Sequence, residues 1–253
     1  RVHPRCGCAQ GGVRVSFQRR AASELGRRDH ARWLGSSRYA GGAPLTLPTA
    51  NLLAAYDARV GVTNVAGAGT AWAGQSGNGG DASQGTAGSR PTITTTGGFA
   101  SLQFDGTADF LNVPSITASA GTKTIYAVIS PTWDASIRII MDIQTGRMLS
   151  GVNASKYQAF DGSWRDTGVT AASGLQRVTY EAATGALSFW KGGTPATPAA
   201  WTSGPAVGGS VLIGAAFNGG GSLFFQGHIL FLAIYTAARN TAVEDYITQE
   251  WGV

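Results

Sequence analysis

Carboxylates are the first residues to weigh for chemistry. Retaining hydrolysis of a glycoside needs an acid and a nucleophile about 5 to 5.5 Å apart, and the four glutamates of this chain, Glu24, Glu181, Glu244 and Glu250, are scattered and form no run with other acids two positions away. Asp105 and Asp109 are four residues apart and would meet across a turn, but an Asp before a Gly is first of all a turn former. Past residue 47 the only histidine is His228, set in an apolar stretch directly after Gly227. It reads as a structural histidine rather than a general base. No residue is assigned a catalytic role, and the chain is not expected to be an enzyme.

Binding chemistry has more to work with. Asp81, Asp105, Asp109 and Asn112 are oxygen donors on loop-like sequence, the kind of set that suits calcium. Surface and turn acids are the stronger reading, so no cofactor is expected. His3, Cys6 and Cys8 spell H-x-x-C-x-C, three metal-ligating types without a fourth, and zinc is not expected there. Sugar recognition needs an aromatic face to stack on a ring, with amide or carboxylate partners for hydroxyls. Trp72, Trp133, Trp164 and Trp201 all lie in or beside polar, turn-like sequence, and Trp164 is followed by Arg165 and Asp166. KYQAFDGSWRD, residues 156–166, is therefore the preferred glycan patch, with Tyr157 and Trp72 as further candidates. Each Trp alone reads as packing; among four, at least one exposed ring is expected.

Charge divides the chain. Residues 1–47 carry nine arginines against Glu24 and Asp29, a net +7, while residues 48–253 carry ten Lys or Arg against twelve Asp or Glu, a net −2. A basic arm before a nearly neutral domain suggests contact with an acidic partner. Arg14, Arg19, Arg20, Arg27, Arg28 and Arg32 are the expected assembly contacts. Only Phe17, Trp33 and Tyr39 interleave with them, too few aromatics for base stacking, so a protein surface such as a capsid shell is favoured over nucleic acid. The chain opens on Arg1 with no stretch resembling a signal peptide, which suggests a processed or partial start. No run of about 18 apolar residues is present to cross a membrane as a helix.

The elements that must position these groups read as strands. Charged residues make up 13% of the chain and hydrophobic ones 43%, and the 37 glycines punctuate short apolar runs, as in an all-β protein. Residues 51–62 form an entry strand or turn, and 66–91 a long Gly-rich loop around Trp72. SLQFDGTADFLNV (101–113) predicts two strands paired around Asp105-Gly106. KTIYAVISP (123–131) and SIRIIMDI (136–143) are buried strands. LQRVTYEAATGALSFW predicts a hairpin whose arms carry Val178, Tyr180, Leu187 and Phe189. Helical spacing appears only at Asn240 to Trp251, with Val243, Tyr246 and Ile247 on one face, expected to pack on the edge of the sandwich.

Five segments in order carry a resemblance: W-x-x-Q-S-G-x-G-x-D-A at Trp72 to Ala82, LQFDGTADFL at 102–111, KTIYAVI at 123–129, RVTYEAATGALSFWKGG at 177–193, and FFQGHILFLAIY at 224–235 followed by a helix and Trp-Gly. Through these the chain resembles the concanavalin A-like, laminin G-like jelly-roll family of lectins, glucanases and modules of phage and bacterial surface proteins. The resemblance covers roughly residues 50 to 253; the basic arm has no counterpart. It implies an all-β, two-sheet antiparallel jelly-roll sandwich whose concave face or rim loops bind glycans in many members. The family's glycosidase branch carries E-x-D-x-E on one strand, and this chain lacks it.

The combined expectation is of two parts, a basic arm and linker at 1–47 and a sandwich at 48–253. The expected function is that of a non-enzymatic, homo-oligomeric phage virion surface or decoration protein, anchored by the arm and presenting a lectin-like domain to glycans or a host surface. A secreted or cell-surface location is the alternative. The competing functions are a polysaccharide-acting glycoside hydrolase and a cement protein without ligand.

Overall fold

The chain divides into two units, Arg1–Pro44 and Leu45–Val253. The computed structural model describes the second, residues 45–253, except 79, 118–120, 133, 135, 146–147, 154–155, 161–163, 182–185, 192–193, 197–207 and 217–222. The six arginines expected to contact a partner, Trp133 and Trp201 lie outside the described residues.

Seventeen strands and one α-helix are described, with a single 3-10 turn at Ala87–Ser89: β1 (Leu52–Asp57), β2 (Val62–Val65), β3 (Ala68–Trp72), β4 (Ala82–Ser83), β5 (Thr92–Thr96), β6 (Phe99–Asp105), β7 (Leu111–Thr117), β8 (Lys123–Pro131), β9 (Arg138–Thr145), β10 (Met148–Asn153), β11 (Lys156–Phe160), β12 (Trp164–Thr170), β13 (Gly174–Glu181), β14 (Ala186–Lys191), β15 (Thr194–Ala196), β16 (Gly208–Ile213), β17 (Gln226–Tyr235) and α1 (Thr241–Trp251). Two antiparallel layers result. One runs β15–β14–β13–β8–β17, with β1 and β6 sharing the far side of β17 and β5 outside β6. The other runs β4–β7–β16–β9–β10–β11–β12. Consecutive strands change layer at β4–β5, β6–β7, β7–β8, β8–β9, β12–β13, β15–β16 and β16–β17, as in a jelly roll. On one side β3 joins the layers, pairing β4 and touching β5 through Ala68 and Thr92.

Alternation along each strand decides which side chains fill the space between layers. In β8, Ile125, Ala127 and Ile129 face the core while Tyr126 and Val128 face outward under α1. β17 does the same with one irregularity. A register shift between Ile229 and Phe231 puts Leu230 and Phe231 on the outer side in succession, after which Leu232 and Ile234 return to the core. Both faces of β17 are covered, which is why its sequence is apolar almost throughout. Trp72, fully buried, donates its Nε1–H to the Asp57 carbonyl at 2.9 Å and packs 5.5 Å from the Tyr56 ring. Gly214 has φ +84°, and a Cβ there would lie 2.4 Å from the Phe104 ring, so the position has room only for glycine.

The helix has its own local logic. Asn240 caps it, accepting from the Ala242 amide at 3.0 Å, and Gly252 closes it at φ +66° with its N–H on the Thr248 carbonyl at 2.9 Å, an end that favours glycine. Val243, Ile247 and Trp251, one turn apart, bury against the outer side of β8 and β17, the Trp251 ring 4.7 Å from that of Phe231. The helix therefore covers the face of a layer rather than the edge. Glu244, buried, is held between Arg177 of β13 and Arg239, the latter at 2.7 Å. Arg59 lies 4.2 Å over the Trp251 ring and reaches Asp57 and Glu250, each at 2.6 Å.

Three expectations are corrected. β6 and β7 do not pair around Asp105-Gly106, because β6 pairs β5 and β17 whereas β7 pairs β4 and β16; the turn carries the chain from one layer to the other. The Gly-rich stretch at 66–91 is not a plain loop but holds β3 and β4. The expected linker reaches into the sandwich, since Leu47 packs against the cluster beneath α1 and the Pro48 carbonyl accepts from the Tyr235 hydroxyl at 2.7 Å.

Candidate functional site

The preferred patch falls on β11 and β12, at the end of the layer opposite the helix. Tyr157 points into the core, fully buried, and its hydroxyl donates to the Ala172 carbonyl at 2.5 Å. Alternation then turns its neighbours Lys156 and Gln158 to the outer face. Across the ladder Gln158 pairs Gly151 on one side and Asp166 on the other. Gln158 is only 8% exposed, and its Oε1 is buried without a hydrogen-bond partner. Lys156 and Asp166, both exposed, form an ion pair at 3.8 Å, of a kind that contributes little to stability. Asp166 Oδ1 also accepts from the Gly168 amide at 2.7 Å. Trp164 pairs Phe160 and Arg165 pairs Ala159 in the ladder.

One rung further along, Asp142 of β9 is paired with Leu149 of β10 and Leu212 of β16. Its neighbours Met141 and Ile143 are core residues, so Asp142 belongs to the outer side, yet it is fully buried. A second bulge explains its position. Gly151 and Ser150 of β10 face Ile139 and Met141, leaving Ile140 as the extra residue, and Ile140 and Met141 both enter the core. Beside Asp142 on the same face, Ile139 packs with Ala216, Ile137 and Leu223. A polar strip of Asp142, Gln158, Lys156 and Asp166 thus runs along an apolar flank. Neither Asp142 nor Gln158 stands out in a search for reactive types; the available signals are an acid interrupting IIMDI and a Gln next to an inward Tyr.

The other candidates separate. Trp72 is a core residue and presents no face to a sugar, as is Tyr157; burial removes both from the glycan patch. Asp105 closes its own turn: Oδ1 accepts from the amides of Thr107, Ala108 and Asp109 at 2.8, 2.9 and 3.1 Å, and Oδ2 from the Thr107 hydroxyl. Burial opposes its ionisation, but the Thr107 hydroxyl and these amides hold it down to about 2. Asp109 accepts from the Asp105 amide at 3.0 Å, and burial, with the charge of Asp105, pushes it up to about 6. Asp81 accepts from the Gly74 amide at 2.9 Å in a different loop, and Asn112 is exposed on β7. Among the described residues no three His, Cys, Asp or Glu gather as a metal would require. His228 shares its Nδ1 with the Ser101 hydroxyl at 3.2 Å, and burial lowers it below the ordinary imidazole value.

No known family profile matches the sequence, and no curated protein does. Solved structures do match by fold. Domain 4 of AbnA, a GH43 extracellular arabinanase from Geobacillus stearothermophilus, solved with arabinotriose, aligns with a TM-score of 0.57 at 14% identity, covering 78% of this chain and 98% of that one. A Trypanosoma rangeli sialidase aligns at 0.56 and 12% identity over 90% of this chain, and an arabinofuranosidase complexed with arabinofuranosyl-alpha-1,2-xylobiose at 0.54 and 15% over 73%. The chain spans 39% of the sialidase and 50% of the arabinofuranosidase. The all-β sandwich read from the sequence is the fold shared with these carbohydrate-active proteins. The expected virion decoration protein is overturned: the matched structures are an arabinanase domain, a sialidase and arabinofuranosidases. They lend nothing to a phage or capsid role, and the capsid partner proposed for the arm loses its ground with it.

Proposed function

We propose that residues 45–253 form a carbohydrate-recognising domain, with the outer face of β9, β10, β11 and β12 as its binding surface. The observation that carries the reading is the buried, unpartnered Oε1 of Gln158 beside Asp166 on an outer sheet face. An orphaned buried acceptor costs about 1–3 kcal/mol, a cost that a ligand hydroxyl would offset. Two features of the neighbours support it. The structure matched over 98% of its length is a single domain holding an oligosaccharide, whereas the enzymes are matched over half their length or less. The chain thus parallels one domain of such enzymes. Trp164, by its place in β12, is the candidate stacking residue, and Arg165 flanks it.

Titration calorimetry of the whole chain against arabino-, xylo- and sialyl-oligosaccharides tests the reading. Saturable binding of any one in the micromolar to millimolar range supports it; no heat with any of them overturns it.

A second reading, hydrolysis, has one observation in its favour. Asp105 and Asp109 are neighbouring carboxyls driven apart to about 2 and about 6, the division expected of an acid and its counterpart. Their oxygens are bonded within the turn, which favours a structural pair. Release of reducing ends from arabinan by the intact chain, lost in Asp109→Asn, would reverse that preference.

A further inference from the structure

One polar side chain lies where the hydrophobic core gives no reason for it. Leu175 and Arg177 of β13 face α1, whereas Val178 and Tyr180 face the core. Alternation therefore turns Gln176 into the space between the layers. It is 1% exposed, and neither its Oε1 nor its Nε2 has a hydrogen-bond partner. Buried polar atoms of native proteins almost always have partners, and here an acceptor and a donor of one amide lack them together. On the same face the ladder sets Lys191 of β14 on one side of Gln176 and Ala127 of β8 on the other.

Independently of the carbohydrate reading, we infer that Gln176 binds ordered water inside the sandwich, and that this water bridges it to the ammonium of Lys191. The ligand must donate to Oε1 and accept from Nε2, and water does both while being small enough for a side chain so enclosed. Such water needs two to four polar partners and room to sit. Lys191, half-buried at the end of β14, supplies a further donor. Side chains directly opposite in a ladder start about 4.5–5.5 Å apart, a span that one water closes. Room comes from Ala127, which projects only a methyl beside the amide, and from Gly174, two residues before it, which projects nothing. The next strand after β14 is the three-residue β15, an edge among the described residues, so the site lies near a way in from solvent.

Two measurements on the full chain test this. In the parent protein, labelled with nitrogen-15, the side-chain amide of Gln176 should show NOE cross-peaks to water with the sign of a long-lived contact. Thermal unfolding of Gln176→Met then separates a wet site from a dry one by the direction of the change. If the amide is dry, a side chain of similar length without polar hydrogens relieves two orphaned groups and Tm rises. If water is bound, the change breaks its hydrogen bonds, and Tm falls by about 2–4 °C or more in a domain of this size. Lys191→Met should lower Tm as well, and the double variant should lose less than the two single losses together, because both side chains hold one water. Strictly additive losses overturn the bridge to Lys191. A raised Tm in Gln176→Met, or an amide with no contact to water, overturns the site.

Discussion

Asp109 carries the clearest consequence of charge placement at a single residue. Its carboxyl is 7% exposed and raised to about 6, so the fold favours its neutral form. A raised acid binds its proton more tightly in the folded state, and stability therefore falls as pH rises from about 4 through about 6. Asp109→Asn keeps an acceptor for the Asp105 amide and cannot ionise. Urea unfolding should find it more stable than the parent by about 1–2 kcal/mol at pH 7, short of the roughly 3 kcal/mol that a two-unit shift represents in full, with the two converging at pH 4. Asp105 acts in the opposite sense. Held at about 2, it contributes stability above pH 4 that disappears as pH falls through 2. Part of this was legible in the sequence: Asp before Gly announced the turn. The burial of Trp72 and Tyr157 was not, because polar flanking sequence says nothing about what crosses over a residue from the other layer. Gln158 stayed hidden for the same reason; its isolation depends on Gly151 and Asp166, which only the ladder brings beside it.

At the scale of elements, α1 is fastened by charge as well as by its apolar stripe. Glu244 is 6% exposed between Arg177 and Arg239, and removing one partner of a buried ionic group leaves the others uncompensated at a cost of about 3–5 kcal/mol. Glu244→Ala should lower stability by that order in chemical denaturation, whereas Arg239→Ala, whose side chain is half exposed, should cost less than about 1 kcal/mol. The helix itself could be read from the sequence, from Asn240 to Trp251 with Val243, Tyr246 and Ile247 on one face, because spacing of apolar residues is a local property. Its placement on a layer's face could not, since that depends on Phe231, Ala233 and Tyr126 turning outward from β17 and β8. Strand pairing failed in the same way. The hairpin of β13 and β14 was anticipated, with Val178, Tyr180, Leu187 and Phe189 on its arms, and the structure sets Val178 opposite Phe189 and Tyr180 opposite Leu187, while the pairing of β6 with β7 was wrong: two adjacent strands and a tight turn look alike whether the chain folds back or crosses to the other layer.

Across the whole molecule the two layers depend on strands far apart in sequence. β1 pairs with β17, and β6 and β8 flank the same strand. Deleting residues 226–253 removes the partner of three strands and the cover of one face together. That variant should lack a cooperative unfolding transition by circular dichroism, and Trp72, held by the Asp57 carbonyl at the end of β1, should shift its fluorescence toward that of a solvated indole. The fold class was readable from composition and spacing because glycine punctuation and short apolar runs report strands directly. Function was less so, since the same sandwich accommodates unrelated activities.

The position of β17 also sets an order in time. A chain emerging from the ribosome must complete some 170 residues after β1 before Asp57 finds Phe231 opposite it, and until then β6 and β8 present open edges. Topologies built on such distant pairings fold in milliseconds to seconds rather than microseconds, and their partly formed intermediates are prone to associate. Synthesis, more than the finished fold, is therefore where this protein is most exposed to loss, and a chaperone that shields strand edges would raise its yield without changing its stability.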